Sequence, residues 1–173
     1  DFSDCKVPLE NQINFMDSGR DFEIRNLIQR AAINLGVGQV AFETAIEYTK
    51  IRRQGGVDII EHQAIGKMIA DMAIKLEHAR AMIWKAAWFI DNPSETSGGE
   101  KTQTPLHIIA SSFTAEAIHE VTHLAAECFG AMAVMRDMPL QKYVEDAFIF
   151  LNSDTNDLST KLRITETIIE YQR

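Results

Sequence analysis

The sequence predicts an all-α chain: an up-down-up-down antiparallel four-helix bundle with an extra C-terminal helix and a short extended N-terminal lead. Three observations predict it. Apolar residues recur at spacings of three and four along two long stretches. Pro, Asn and Gly fall at the corners between such stretches rather than inside them. No alternation of apolar and polar residues appears after residue 20, so no strand is expected there.

Residues 1–20 contain Val7-Pro8-Leu9-Glu10-Asn11 and Ser18-Gly19, which read as strand and loop. From about Asp21 to Arg53 one stripe runs through Ile24, Leu27, Ile28, Ala31, Leu35, Gly38, Phe42, Ala45, Ile46 and Thr49, marking a first long helix. Gly55-Gly56 stops it, and Asp58 reads as the N-cap of the next helix. That second helix, about 59–91, carries the stripe Ile65, Met68, Ile69, Met72, Leu76, Ala79, Ile83, Ala86, Ile90. Asn92-Pro93 ends it, and 94–104 is a polar loop. Thr104-Pro105 reads as cap and first residue of a third helix, about 105–129. Asp137 to Leu151 and Thr155 to Tyr171 give two shorter helices, broken by Asn152-Ser153-Asp154.

A chain of 173 residues, 46% hydrophobic and 24% charged, can build one domain with a sizeable core. Its net charge of −8 argues against a nucleic-acid partner held by counterion release. No apolar run is long enough for a membrane span, so no transmembrane segment is expected. No signal-peptide pattern opens the chain. Cys5 and Cys128 are far apart and have no metal or redox spacing, which predicts reduced thiols and fits a bacterial cytoplasm or a mitochondrial matrix. Extended residues ahead of a bundle, with no initiating Met, lead us to expect residues 1–20 to be the tail of an upstream β-domain or a linker. Residues 21–173 are then the bundle.

The candidate site is the corner Arg52-Arg53-Gln54-Gly55-Gly56, followed by His62-Gln63-Ala64-Ile65. Arginine forks suit phosphate oxygens, and glycine lets backbone approach a ligand closely. Arg52 can equally be a solvated cation at a helix C-terminus, where the dipole favours it.

Taken together, these segments resemble the C-terminal, FAD-binding helical domain of the acyl-CoA dehydrogenases. Val7-Pro8-Leu9-Glu10-Asn11 is similar to the family segment that hands the middle β-domain to the helical domain. Leu35-Gly36, Ala41-Phe42-Glu43 and Tyr48 resemble its first long helix. Arg52-x-Gln54-x-Gly56 is similar to the family's Arg-x-Gln-Phe-Gly. His62-Gln63-Ala64-Ile65, Ala70-Asp71-Met72, Ala79-Arg80 and Ala86-Ala87-Trp88 follow at family spacing, and Pro139, Lys142 and Asp146-Ala147 fit the fourth helix.

The resemblance implies a domain of a flavoenzyme that oxidises an acyl-CoA between Cα and Cβ, with FAD as cofactor and a homodimer or homotetramer as the assembly. It places Arg52 on the FAD pyrophosphate of a neighbouring subunit, with Gln54 beside it. Glu127 and Gly130 stand where the family's Gln-x-x-Gly-Gly meets the adenine end of FAD, and Thr155 joins them as a cofactor-binding residue. An arginine near the first helix start contacts a CoA phosphate in relatives, which makes Arg25 a candidate.

The sequence also departs from the family pattern. Gly55 replaces an aromatic residue, Ala131 a glycine, and Glu127 a neutral amide, placing a negative charge near a pyrophosphate. Glu127 can also be a plain surface residue at a helix end. The family's catalytic glutamate is missing. Ungapped counting from Asp146-Ala147 puts Asp154 at that position, and a one-residue deletion puts Ser153 there instead. Asp154 is equally well placed to cap the last helix. Where other members carry the base near the first helix start, this chain has Asn26. These departures leave a second reading open, a catalytically silent homologue kept for assembly or ligand binding.

His119 and His123, four apart, share a helical face as zinc ligands would, but no third ligand is evident and no metal is expected. Trp84 and Trp88 are expected to pack against a neighbouring helix or subunit.

Overall fold

The computed structural model describes residues 3–11, 15–92, 105–153 and 158–169. Among them are five helices: α1 (Phe15–Ile51), α2 (Gln63–Asp91), α3 (Leu106–Phe129), α4 (Leu140–Leu151) and α5 (Leu158–Ile169). Short 3-10 turns occupy Leu9–Asn11, Ile59–Glu61 and Gly130–Val134. Two strands, β1 (Arg53–Gln54) and β2 (Val57–Asp58), pair antiparallel at the corner between α1 and α2.

Helix directions follow from contacts at the ends. Tyr48, near the end of α1, stacks on Phe129 at the end of α3 with ring centroids 3.9 Å apart. The Cys128 sulfur lies 3.9 Å from that of Met68, in the second turn of α2. So α1 and α3 finish at one pole of the bundle, where α2 begins. At the other pole Arg25 reaches Asp91 at 3.6 Å, tying the N-terminal third of α1 to the end of α2. α4 follows α3 and runs back, packing on α1 and α3. α5 docks at the second pole through Arg163–Glu23 at 2.8 Å and Lys161–Glu116 at 2.7 Å. The four-helix bundle with an added helix therefore stands as the sequence predicts.

The core follows the predicted stripes. Met72, Leu76, Ala79, Ile83 and Ala86 of α2 are buried, as are Leu27, Ile28, Ala31, Leu35, Ala41 and Ala45 of α1. Each large side chain removed from water contributes about 1.5–3 kcal/mol. The most extensive packing joins α1 to α3. Small residues on both helices make that close approach feasible: Gly38, Ala41 and Ala45 on α1, and Ala110, Ala117 and Ala125 on α3. At Gly38 an added methyl would sit 2.6 Å from Cδ1 of Ile118.

Several boundaries differ from expectation. α1 begins at Phe15, through a Ser-Gly pair that reads as a break, and ends at Ile51. No strand occurs among the described residues before it. The corner contains a β-hairpin that alternation could not show, because two-residue strands have no period. Asp58 precedes a 3-10 turn rather than a helix, its backbone N–H donating to Glu61 Oε1 at 3.3 Å, and α2 starts at Gln63. Trp84 and Trp88 are 69% and 49% exposed, so among the described residues no helix buries them.

Candidate functional site

The hairpin is built by its glycines. Arg53 pairs with Asp58 and Gln54 with Val57, leaving only Gly55-Gly56 to turn the chain. Both have positive φ, +64° and +90°. A two-residue turn with both central residues left-handed matches strand twist and strongly favours glycine. The backbone is then tied at three further points. Arg53 Nη2 donates to the Gly56 carbonyl at 2.6 Å, with Nη1 3.4 Å from Asp58 Oδ1. His62 Nε2 donates to the Gln54 carbonyl at 3.1 Å. The Ile59 N–H donates to the Arg52 carbonyl at 2.8 Å.

These bonds separate two arginines that residue type alone leaves equivalent and that only the family resemblance tells apart. Arg53 is engaged by its own hairpin. Arg52 and Gln54 are exposed, and among the described residues neither side chain has a hydrogen bond or ion pair. Arg52 follows the last residue of α1, its N–H still bonding the Tyr48 carbonyl at 3.0 Å, and Gln54 is the second residue of β1.

The end of α3 lies at the same pole. Gly130 terminates it with φ 59° and ψ −137°, its N–H bonding the carbonyls of Ala126 and Glu127. A methyl there would meet nothing within 4 Å, so backbone conformation rather than crowding selects glycine. Phe129 and Cys128 turn inward while Glu127 and Gly130 remain exposed. Burial, and then the charge of Glu127, push the Cys128 thiol up to about 11, which makes it an unreactive packing residue. Both cysteines are free, Cys5 at the surface and Cys128 buried.

The structure thus gathers Arg52, Gln54, Glu127 and Gly130 at one pole. Arg52 is an exposed cation without a partner among the described residues, beside a hydrogen-bonded hairpin, and is suited to a phosphate. Open space at Gly130 suits close approach of a flat ligand. Glu127, in the last turn of α3, places its carboxylate beside the negative end of the helix dipole and finds no cationic partner among the described residues. It disfavours an anion at this pole.

Asp154 and Thr155 lie outside the described residues. Just before them in sequence, Asn152 Nδ2 donates to the Phe148 carbonyl at 2.9 Å and Ser153 Oγ to the Phe150 carbonyl at 2.8 Å. The end of α4 is at the second pole, as is Arg25, paired with Asp91. His119 and His123 touch, with ring centroids 4.3 Å apart, and no group of three or more potential metal ligands exists among the described residues. Sequence reasoning missed the cavity beside Glu23, Arg30 and Arg163, because no spacing rule links α1 to α5.

The fold is that of an all-α helical-bundle domain, with an exposed arginine beside a hairpin at one pole. The sequence profile described as "Acyl-CoA dehydrogenase, C-terminal domain" matches residues 26–151. The chain belongs to the acyl-CoA dehydrogenase family. It is 36% identical over 139 residues to 3-sulfinopropanoyl-CoA desulfinase of Paraburkholderia xenovorans, covering 80% of this chain and 34% of that protein. It is 34% identical over 152 residues to the mitochondrial short-chain specific acyl-CoA dehydrogenase of Sus scrofa, covering 86% of this chain and 35% of that one. This chain therefore spans about a third of the length of the curated relatives it matches. Among solved structures, butyryl-CoA dehydrogenase of Megasphaera elsdenii superposes with a TM-score of 0.79 at 26% identity, covering 97% of this chain and 43% of that one.

Proposed function

We propose that this chain is the C-terminal helical domain of an FAD-dependent acyl-CoA dehydrogenase-like oxidoreductase, contributing cofactor binding and subunit contact. The observation that carries this is the free Arg52 beside an Arg53 consumed by its own hairpin. In this reading Arg52 and Gln54 hold the pyrophosphate of FAD bound mainly by another subunit, in a homodimer or homotetramer. Gly130 allows backbone to pass close to the adenine end, with Glu127 beside it, whereas Thr155, which follows α4 in sequence, would contact a different FAD from the one that Arg52 holds. FAD supplies hydride acceptance from Cβ. Asp154 takes the proton from Cα; a carboxylate at such a position needs burial to raise its basicity. Residues 1–20 form the handover from an upstream domain, although α1 already begins inside that segment. Two relatives are named for CoA thioesters, which supports acyl-CoA as the substrate class.

Glu127 favours a second reading, a silent homologue acting as an assembly or ligand-binding subunit, because its charge works against a bound pyrophosphate. One experiment separates the two. The full-length protein, purified without added FAD, is expected to be yellow with flavin absorbance. A colourless protein that FAD cannot reconstitute overturns the first reading in favour of the second. Within the first, Asp154→Asn should abolish flavin reduction by acyl-CoA while FAD stays bound; unchanged reduction rules Asp154 out as the base.

A further inference from the structure

A cavity of about 160 Å³ lies between the stretch of α1 from Glu23 to Arg30, the start of α3, and α5. Its charged lining is unbalanced. Glu23 and Arg163 neutralise each other across it at 2.8 Å. Arg30 is half-buried in the same wall, and no hydrogen bond or ion pair engages its guanidinium among the described residues. Among the described residues the wall therefore carries one uncompensated positive charge, in a chain of net charge −8. A cation partly withdrawn from water and left without a partner is unfavourable, and a planar fork takes a two-oxygen anion best. Asn26 adds an amide donor, and Ser111, only 3% exposed, adds a hydroxyl. Leu27 and Ile108 make the remaining wall apolar.

Size restricts the guest. A cavity of ~150 Å³ accommodates a benzene molecule, whereas sites for whole small-molecule ligands and cofactors run to roughly 300–1,000 Å³. This one is too small for a nucleotide and large enough for the last few atoms of a short chain ending in an anion. We propose that the cavity between α1, α3 and α5 receives the carboxylate or sulfinate end group of a short acyl-CoA, bound by Arg30. The assignment to an acyl chain rests on the acyl-CoA reading above, while the anion site itself rests only on the cavity.

The test uses the full-length protein and two thioesters of equal length, glutaryl-CoA and pentanoyl-CoA, which differ in the terminal carboxylate. The ratio of their kcat/KM values should favour glutaryl-CoA at least tenfold. Arg30→Met should cut that ratio at least tenfold, and Arg136→Met, a change at the opposite pole, should leave it in place. A native ratio near one, or a ratio that Arg30→Met does not move, overturns the proposal. Calorimetric titration with free glutarate is a second arm that needs no flavin. Arg30→Met should weaken glutarate binding, and Glu23→Gln should tighten it by removing the opposing charge, an opposite response that misfolding does not produce. No glutarate binding in either native protein or Glu23→Gln overturns the anion site even if the protein is yellow. Glutarate binding lost in Arg30→Met, with no preference for glutaryl-CoA, overturns the assignment to the acyl chain.

Discussion

At the scale of single residues the informative contrast is Arg52 against Arg53. The Arg-x-Gln spacing was legible in the sequence only through its likeness to the family's Arg-x-Gln-Phe-Gly, since a basic, glycine-rich corner alone does not say which side chain meets a ligand. That only one arginine is free was not legible, since it depends on which carbonyl the turn presents to Arg53. The two predict opposite phenotypes in the full-length protein. Arg52→Met should raise the dissociation constant for FAD about 10- to 100-fold, the loss of a charged hydrogen bond worth roughly 1.5–3 kcal/mol. Its stability should stay within about 0.5 kcal/mol of native, because the side chain has no partner to lose. Arg53→Met should instead destabilise by about 1 kcal/mol, releasing the Gly56 carbonyl and an exposed ion pair. FAD titration alongside thermal unfolding distinguishes them, and equal effects of both changes on FAD affinity would contradict the assignment. Asp154 and Thr155 show the other limit of the sequence: Asn-Ser-Asp-Thr serves a turn, a cap or a base equally well.

Among the elements, the stripes of α1 and α2 were legible because burial on one helical face imposes a period that a single sequence displays. The hairpin and the early start of α1 were not. A two-residue strand has no period, and Ser18-Gly19 reads as a break although the helix continues through it. The α1–α3 contact yields a paired prediction from two glycines on one helix. Gly36 is exposed, with nothing within 4 Å of an added methyl. Gly36→Ala should stabilise by about 0.5–1 kcal/mol through helix propensity and a less flexible unfolded chain. Gly38 faces Ile118 at 2.6 Å and 3.1 Å and Leu76 at 3.1 Å. Overpacking there costs about 1–3 kcal/mol and outweighs the same propensity gain. Gly38→Ala should therefore lower the unfolding midpoint, and Ile118→Val in the same chain should recover part of the loss. A Gly38→Ala protein as stable as Gly36→Ala would mean that the helices are farther apart than described.

For the molecule as a whole, acid sets two effects against each other. Lowering the pH from 8 towards the sequence pI of about 5.1 reduces the net negative charge and relieves self-repulsion. His119 works the other way. Burial, and then the neighbouring His123, hold its pKa below the usual value of 6.5, with Glu120 pulling weakly upward. Glu120 is itself paired with Lys75 at 2.6 Å, and His119 Nδ1 is buried without a hydrogen-bond partner. A group with a depressed pKa binds fewer protons folded than unfolded, so its contribution is intact above about pH 6.5 and is lost as pH falls towards the folded value. Charge relief acts on every variant alike; the histidine effect does not. The unfolding midpoint of native protein relative to His119→Gln should therefore be highest at pH 8 and decline between pH 6.5 and pH 5. A difference that stays flat over that range, or grows in acid, would show that His119 takes up its proton in the folded bundle as readily as in water.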